Sequence, residues 1–255
     1  PLFMRFSSSF TFQILAIFLH IAFCTAPVWP QGDGWDFGEG AIVLPDGGVR
    51  FRVYAPGADT VAVAGDFNGW NSSSNMMTRD AEGYYATTVG SAREGHRYKY
   101  VVNGELWRKD PWSFRVEGSG EDDNSIIEDL TDYDWKATDW QTPRIEEIAI
   151  YQLHLKGFQY NNDGLNYDHG DVFRDFVDTK LDYLAGLGVN CIQVMPMTEF
   201  PGDDSWGYNP VFFHAPESSY GTPEDFQRLV DECHLRGIAV IVGIVYNHTS
   251  GNDNL

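Results

Sequence analysis

The stretch Gly188-Val-Asn-Cys-Ile-Gln-Val-Met-Pro196, followed by Glu199-Phe-Pro-Gly-Asp-Asp-Ser-Trp-Gly-Tyr-Asn-Pro210 and by Ile238-Ala-Val-Ile-Val-Gly-Ile-Val-Tyr-Asn-His248, decides the fold. An apolar run, Val189 to Met195, stops at Pro196. A polar, aromatic loop follows it. Thr222-Pro223-Glu224-Asp225 then opens a helix, because Thr is a good N-cap, Pro suits the first helical position and acids suit the first turn. Phe226, Leu229, Val230 and Cys233 recur at helical spacing, and Gly237 stands where a left-handed C-cap is wanted. A second apolar run covers Ile238 to Val245. Continuous apolar runs alternating with helices predict parallel strands buried on both faces. The polar residues gather after each strand, where parallel α/β folds place their chemistry.

Upstream the same rhythm begins at Ile148 to Leu155, which reads as a strand. Val172 to Ala185 reads as one amphipathic helix, with Phe173, Phe176, Val177, Leu181 and Leu184 on one face. Strand, helix, strand, helix, strand fits either a (β/α) barrel or an open doubly wound sheet. No Gly-rich phosphate loop follows any strand, which disfavours nucleotide binding.

Val194-Met195-Pro196, Trp206-Gly207-Tyr208-Asn209-Pro210 and Gly243-Ile244-Val245-Tyr246-Asn247-His248 together resemble the α-amylase superfamily, glycoside hydrolase family 13, in its branching-enzyme-like members. The Gln152-Leu153-His154 run resembles the first barrel strand of the same group. The resemblance implies a TIM barrel, of which the chain carries the first three β/α units of eight. A complete barrel takes roughly 250 residues, so a barrel truncated after its third strand is expected. By the resemblance, Tyr208 stacks on the sugar at the cleavage subsite, His248 bonds that sugar's hydroxyls, and Asn247 and Trp206 support them. One departure is plain: Gly243 stands where the family has Asp. Either the lineage has lost activity or the codon is misread, since one base separates the two.

Retaining glycosidases need a nucleophile and an acid/base carboxyl about 5 Å apart. The resemblance puts these and a third carboxylate after later strands, so no catalytic residue is expected here. Glu199, Asp203 and Asp204 read as solvated loop acids. No cofactor is expected. Calcium occurs in the family, but Asn161-Asn162-Asp163-Gly164, although it offers hard oxygen ligands, reads first as an Asx turn.

Residues 48–130 change to period two. Val49, Phe51 and Val53 alternate with Arg50, Arg52 and Tyr54. Val61 to Gly65, Tyr85 to Val89 and Tyr98 to Val102 add strands, and Asn103-Gly104 is a hairpin signal. These predict an immunoglobulin-like β-sandwich. Trp70 and Trp107 read either as caps on its core or as faces for a pyranose. The segment is similar to the family 48 carbohydrate-binding (glycogen-binding) module, and the resemblance makes Trp70, Lys99, Trp107 and Asn124 its glucan contacts. Residues 27–47 read as a lead-in and 131–147 as a linker.

The 255 residues carry 37 acids against 17 Lys and Arg, a net charge of −20. That argues against nucleic acid and anionic membrane as partners and fits a neutral ligand such as an α-glucan polysaccharide, glycogen or starch. Met4-Arg5, the apolar Phe10 to Cys24 and the small residues at Cys24-Thr25-Ala26 read as a signal peptide over residues 1–26, with a retained anchor as the alternative. The run is too short and interrupted for a span of roughly 20 residues. Export is expected, or the cytoplasm if the signal reading fails. Cys191 and Cys233 read as inert buried thiols; a disulfide between them needs a geometry that sequence does not supply. The function expected is α-glucan hydrolysis or transglycosylation of the branching type, these residues being inactive alone. The alternatives are a secreted α-amylase/pullulanase-type hydrolase and a non-catalytic glucan-binding protein.

Overall fold

A computed structural model describes residues 38–159, 171–202 and 204–250. The signal peptide with Cys24, the Asn161–Gly164 turn and Asp203 lie outside the described residues. The first half is two antiparallel sheets. One has the order β1 (Gly40–Val43), β2 (Val49–Tyr54), β5 (Tyr84–Val89), β4 (Thr78–Arg79). The other runs β3 (Val61–Gly65), β6 (Arg97–Val102), β9 (Ser125–Ile126), β8 (Arg115–Val116), with β7 (Leu106–Arg108) also on β6. Residues 40–43, read as lead-in, are thus an edge strand paired with β2.

Alternation builds this half. In β2 the inward Val49, Phe51 and Val53 are buried while Tyr54 is exposed. Phe51 meets Tyr98 edge-on at 5.1 Å between ring centroids. Each such fully buried aromatic contributes about 1.5–3 kcal/mol by leaving water. Between β6 and β7, Asn103 and Gly104 both have positive φ (53° and 77°), as a type I′ turn requires.

The second half is a parallel sheet in the order β10 (Ile150–Leu153), β11 (Cys191–Val194), β12 (Ala239–Val242). Helix α1 (Leu155–Gln159), α2 (Val172–Thr179) and α3 (Leu181–Gly186) join β10 to β11, and α4 (Pro223–Leu235) joins β11 to β12. Phe173, Phe176, Leu181 and Leu184 share one core with Ile192 and Leu229. Three expectations need correction. The single helix over 172–185 is two, broken at Lys180 (φ −120°, ψ −26°). Just before the break, the β-branched Thr179 turns its hydroxyl back to the Asp175 carbonyl at 2.6 Å, a bond that disfavours straight helix. The strands are also shorter than the apolar runs, so Leu155 starts a helix and Gly243 lies beyond β12. Burial on both faces holds for central β11 but not for β10, where Ile150 is 55% exposed.

Helix α4 begins as read. Thr222 Oγ1 accepts from the Asp225 N–H at 3.2 Å, and the Thr222 N–H donates to Asp225 Oδ2 at 3.0 Å. Gly237 ends it at φ 74°. Residues 131–147, expected as a linker, are strapped to this helix. The buried Asp231 carboxylate accepts the backbone N–H groups of Lys136 and Ala137 and the Tyr133 hydroxyl. Trp140 lies flat on His234 at 4.3 Å. The two halves also touch: Trp112 stacks on His214 at 4.3 Å, and Val116 packs with Phe212 and Ala215. Cys191 and Cys233 are buried and free, with no disulfide between them. Among the described residues no helix is long and apolar enough to cross a membrane.

Candidate functional site

Beyond the C-terminal ends of β10, β11 and β12 the chain makes three approaches to one region. His154 follows β10. Its Nδ1 accepts from the Gly157 N–H at 2.9 Å, so the proton sits on Nε2, which lies 3.0 Å from both the Ser205 carbonyl and the Tyr220 hydroxyl. Burial holds this imidazole below its ordinary value, so it is a neutral donor. The loop after β11 carries Trp206, 71% exposed, and Tyr208, 47% exposed. Between them Gly207 has φ +78°, and a Cβ on it would lie 1.9 Å from the Pro196 carbonyl oxygen. Only glycine lets the loop fold down onto Pro196 here, which turns the two flanking aromatic rings outward. Ser205 Oγ donates to Asn209 Oδ1 at 2.7 Å and closes the turn.

The segment after β12 lies across this loop. His248 Nε2 donates to the Tyr208 carbonyl at 2.6 Å, Nδ1 accepts from Asn247 Nδ2 at 2.8 Å, and the Ser250 N–H donates to the Pro210 carbonyl at 2.8 Å. Tyr246 stacks on Phe213 at 5.7 Å. Trp206, Tyr208, Asn247 and His248 are therefore brought together, on the solvent side. Both His248 nitrogens are engaged, so a ligand hydroxyl reaching the ring must exchange for one of these partners. Gly243 lies just below. Its N–H donates to the Val194 carbonyl at 2.8 Å, and a Cβ would stand 3.2 Å from that oxygen and 3.4 Å from Pro196 Cδ. A side chain fits there with a shift of a few tenths of an ångström, so nothing in the backbone demands glycine.

Of the acids described in this region, Asp204 is solvated as expected and Glu199 is not. Asp204 is exposed and pairs with Lys156 at 2.5 Å. Glu199 is not solvated: it is 1% exposed, with its carboxylate satisfied by the Ser218 N–H at 2.7 Å. Burial and the neighbouring Glu217 push it well above the usual carboxylate range. His154, Tyr220 and Glu217 received no role from the sequence. The signal for His154 was its place at a strand end, next in line with Pro196 and His248.

On the sandwich, Lys99 pairs with Ala64 and Val101 with both Ala62 and Trp107, so these residues share the outer face of one sheet. Tyr98 pairs with Ser125, which sets Asn124 beside Lys99. Trp70 stands 6.3 Å from Trp107, ring centre to ring centre, tilted by 38°. Its backbone is held at φ 62°, a left-handed conformation that costs a non-glycine residue about 1 kcal/mol or more. Its indole Nε1 donates to Asp66 at 3.1 Å, and Arg97 binds the same carboxylate and draws it down to about 2. Lys99 Nζ donates to the Glu121 carbonyl at 2.7 Å, and Asn124 Nδ2 to Glu117 at 2.6 Å. The four expected contacts thus form one face: two indoles beside an amine and an amide. Among the described residues no cluster of three or more His, Cys, Asp or Glu could hold a metal ion.

A parallel strand–helix unit with aromatic, amide and imidazole groups beyond its strand ends, behind an antiparallel sandwich with a tryptophan face, is the layout of a carbohydrate-active protein of the amylase kind. Residues 152–254 match the family described as "Alpha amylase, catalytic domain", and residues 39–116 match "Carbohydrate-binding module 48 (Isoamylase N-terminal domain)". The chain thus carries an α-amylase catalytic-domain segment behind a family 48 module segment, and it is similar to branching enzymes. Among its relatives are two proteins named 1,4-alpha-glucan branching enzyme GlgB. That of Photobacterium profundum is 33% identical over 222 residues, covering 82% of this chain and 30% of the relative. That of Saccharophagus degradans is 34% identical over 248 residues, covering 86% and 33%. A solved structure described as "Putative alpha Amylase from Salmonella typhimurium" superposes with a TM-score of 0.73 at 31% identity, covering 85% of this chain and 34% of that one. The chain spans about a third of the length of the relatives it matches.

Proposed function

We propose that this chain is the glucan-holding part of an α-glucan-active enzyme of the 1,4-α-glucan branching type, working on glycogen or starch. The observation that carries the reading is the joining of the Trp206–Tyr208 loop to Asn247 and His248 through the His248 Nε2 bond to the Tyr208 carbonyl. The Tyr208 ring offers a flat apolar surface for the C–H face of a pyranose, and the amide and imidazole offer donors for its hydroxyls. Trp70, Trp107, Lys99 and Asn124 offer the same chemistry on the sandwich, so the module keeps the polymer near the barrel. The reaction of the whole protein is retaining: a carboxylate attacks the anomeric carbon, the 4-oxygen of the neighbouring sugar leaves with a proton from the acid/base carboxyl, and the glycosyl-enzyme passes its glycosyl group to a 6-hydroxyl, whose proton returns to that carboxyl. The buried Glu199 and the ion-paired Asp204 do not fit those roles, so these residues alone hold glucan without cleaving it. The chain incubated with amylose should neither release reducing ends nor alter iodine staining. Turnover above that of a His248→Ala control would contradict this.

A hydrolase of the secreted α-amylase/pullulanase type is the second reading. The resemblance to the Salmonella structure and the leader-like residues 1–26 support it, and with it export. In the whole protein, branching lowers iodine absorbance without new reducing ends, whereas hydrolysis raises them. Gly243, in place of the family Asp, favours a third reading, a glucan-binding protein without catalysis. That reading requires whole-protein activity to be absent and to return with Gly243→Asp.

A further inference from the structure

The loop carrying Trp206 to Pro210 has two arms that are zipped at the root. The Glu199 N–H donates to the Ala215 carbonyl at 3.0 Å, the Glu217 N–H donates to the Met197 carbonyl at 2.8 Å, and Thr198 bridges Pro216. Two acidic side chains, Glu199 and Glu217, lie at this root, each 1% exposed. Each reaches over to the opposite arm. Glu199 accepts from the Ser218 N–H at 2.7 Å and the Ser218 hydroxyl at 3.3 Å. Glu217 accepts from the Phe200 N–H at 3.1 Å on the other arm and from the Ser219 N–H at 3.0 Å on its own. The brace is reciprocal, one carboxyl group from each arm.

Among the charged and titratable groups facing this pair are Lys109 from the sandwich and Tyr220 from the segment leading to α4. Lys109 lies 5.1 Å over the Phe212 ring, and its Nζ donates to the carbonyls of Gly118 and Gly120. Two neighbouring carboxylates buried at this root cannot both ionise cheaply: each loses hydration, and they repel.

We propose that Glu199 and Glu217 keep one proton between them at neutral pH and act as a positioning clasp, which holds the Trp206–Pro210 loop while that proton is present and loosens it when the proton leaves. What this does to a bound sugar rests on the reading of Tyr208 given above; the clasp itself does not. The direction of the linkage follows from burial and the charge of Glu217, which raise Glu199 above its ordinary value of 4.5. The folded chain then binds a proton that the unfolded chain releases, so stability falls as pH rises above the ordinary carboxylate range.

The test is hydrogen exchange of the amides at 205–212 in the full 255-residue chain, together with Tm, at about pH 7 and about pH 9. Folded His214 and His234, drawn down to about 4 by burial, lie well below this window. After correction for the intrinsic pH effect, the wild-type loop should exchange about tenfold faster at the higher pH, and Tm should fall by about 4 °C or more. Glu199→Gln, which mimics the protonated acid, should abolish the first change and at least halve the second. A wild-type loop whose corrected exchange does not change would overturn the clasp, even if the variant fails to fold. So would a folded Glu199→Gln protein that tracks the wild type. Glycogen retention is not part of the readout, so failure of the glucan reading and failure of the clasp are separable.

Discussion

Gly207 fixes where two exposed aromatic rings point. With φ at +78° and the Pro196 carbonyl oxygen 1.9 Å from where a Cβ would stand, Gly207→Ala has no relaxed solution. It should cost about 2–4 kcal/mol and change the acrylamide quenching of Trp206, measured as the difference from a Trp206→Phe partner. The Trp206-Gly207-Tyr208 motif was legible in the sequence through its resemblance to the α-amylase superfamily. Glu199 was not. An acid beside a Gly-Asp-Asp turn reads as solvated, and nothing local says that Ser218, nineteen positions on, will supply its N–H. His248 was legible as a strand-end histidine, yet its engagement through both nitrogens depends on the loop forty residues earlier.

At the scale of elements, α4 is where sequence and structure agree most closely. Capping box, N1 proline and terminal glycine are all local signals, and all three are used. Thr222→Ala should therefore cost about 1 kcal/mol in urea unfolding. Its other face carries a feature that sequence concealed. Asp231 sits at a position that looks like ordinary helix polarity, yet it is buried and gathers two backbone N–H groups and the Tyr133 hydroxyl. Asp231→Ala should cost about 2–4 kcal/mol, because it takes the acceptor from three part-buried donors, and should deprotect the amides of Lys136 and Ala137 in hydrogen exchange. The break at Lys180 was hidden for a related reason. The apolar face runs on unbroken from Phe173 to Leu184, so periodicity sees one helix where Thr179 makes two. Strand β1 was missed because Gly40-Ala-Ile-Val43 is short and gains its strand character only from β2.

For the whole molecule, two imidazoles join parts that are far apart in the chain. His214 lies on Trp112 of the sandwich, and His234 lies on Trp140 of the connecting segment. Burial draws both down from 6.5 to about 4. The unfolded chain binds protons that these folded groups refuse, so their contribution is complete above about pH 6.5 and is lost as pH falls toward 4. Together with the opposite trend from Glu199, this puts the maximum of Tm near neutral pH. In His214→Phe the acid side of the Tm profile should be flatter. The sheet β10–β11–β12 has one face partly uncovered, and part of its core depends on the segment at 133–140. Residues 148–255 alone should accordingly give no cooperative melt by circular dichroism, whereas the full chain should.

The central claim, that this chain holds α-glucan, is tested most directly by affinity electrophoresis of the 255-residue protein through gels with and without glycogen. The account predicts retardation by glycogen. It also predicts that the Trp70→Ala/Trp107→Ala double variant loses it, a cost of about 2 kcal/mol or more and hence about thirtyfold or more in affinity. Equal mobility of the wild-type chain in both gels would contradict the account.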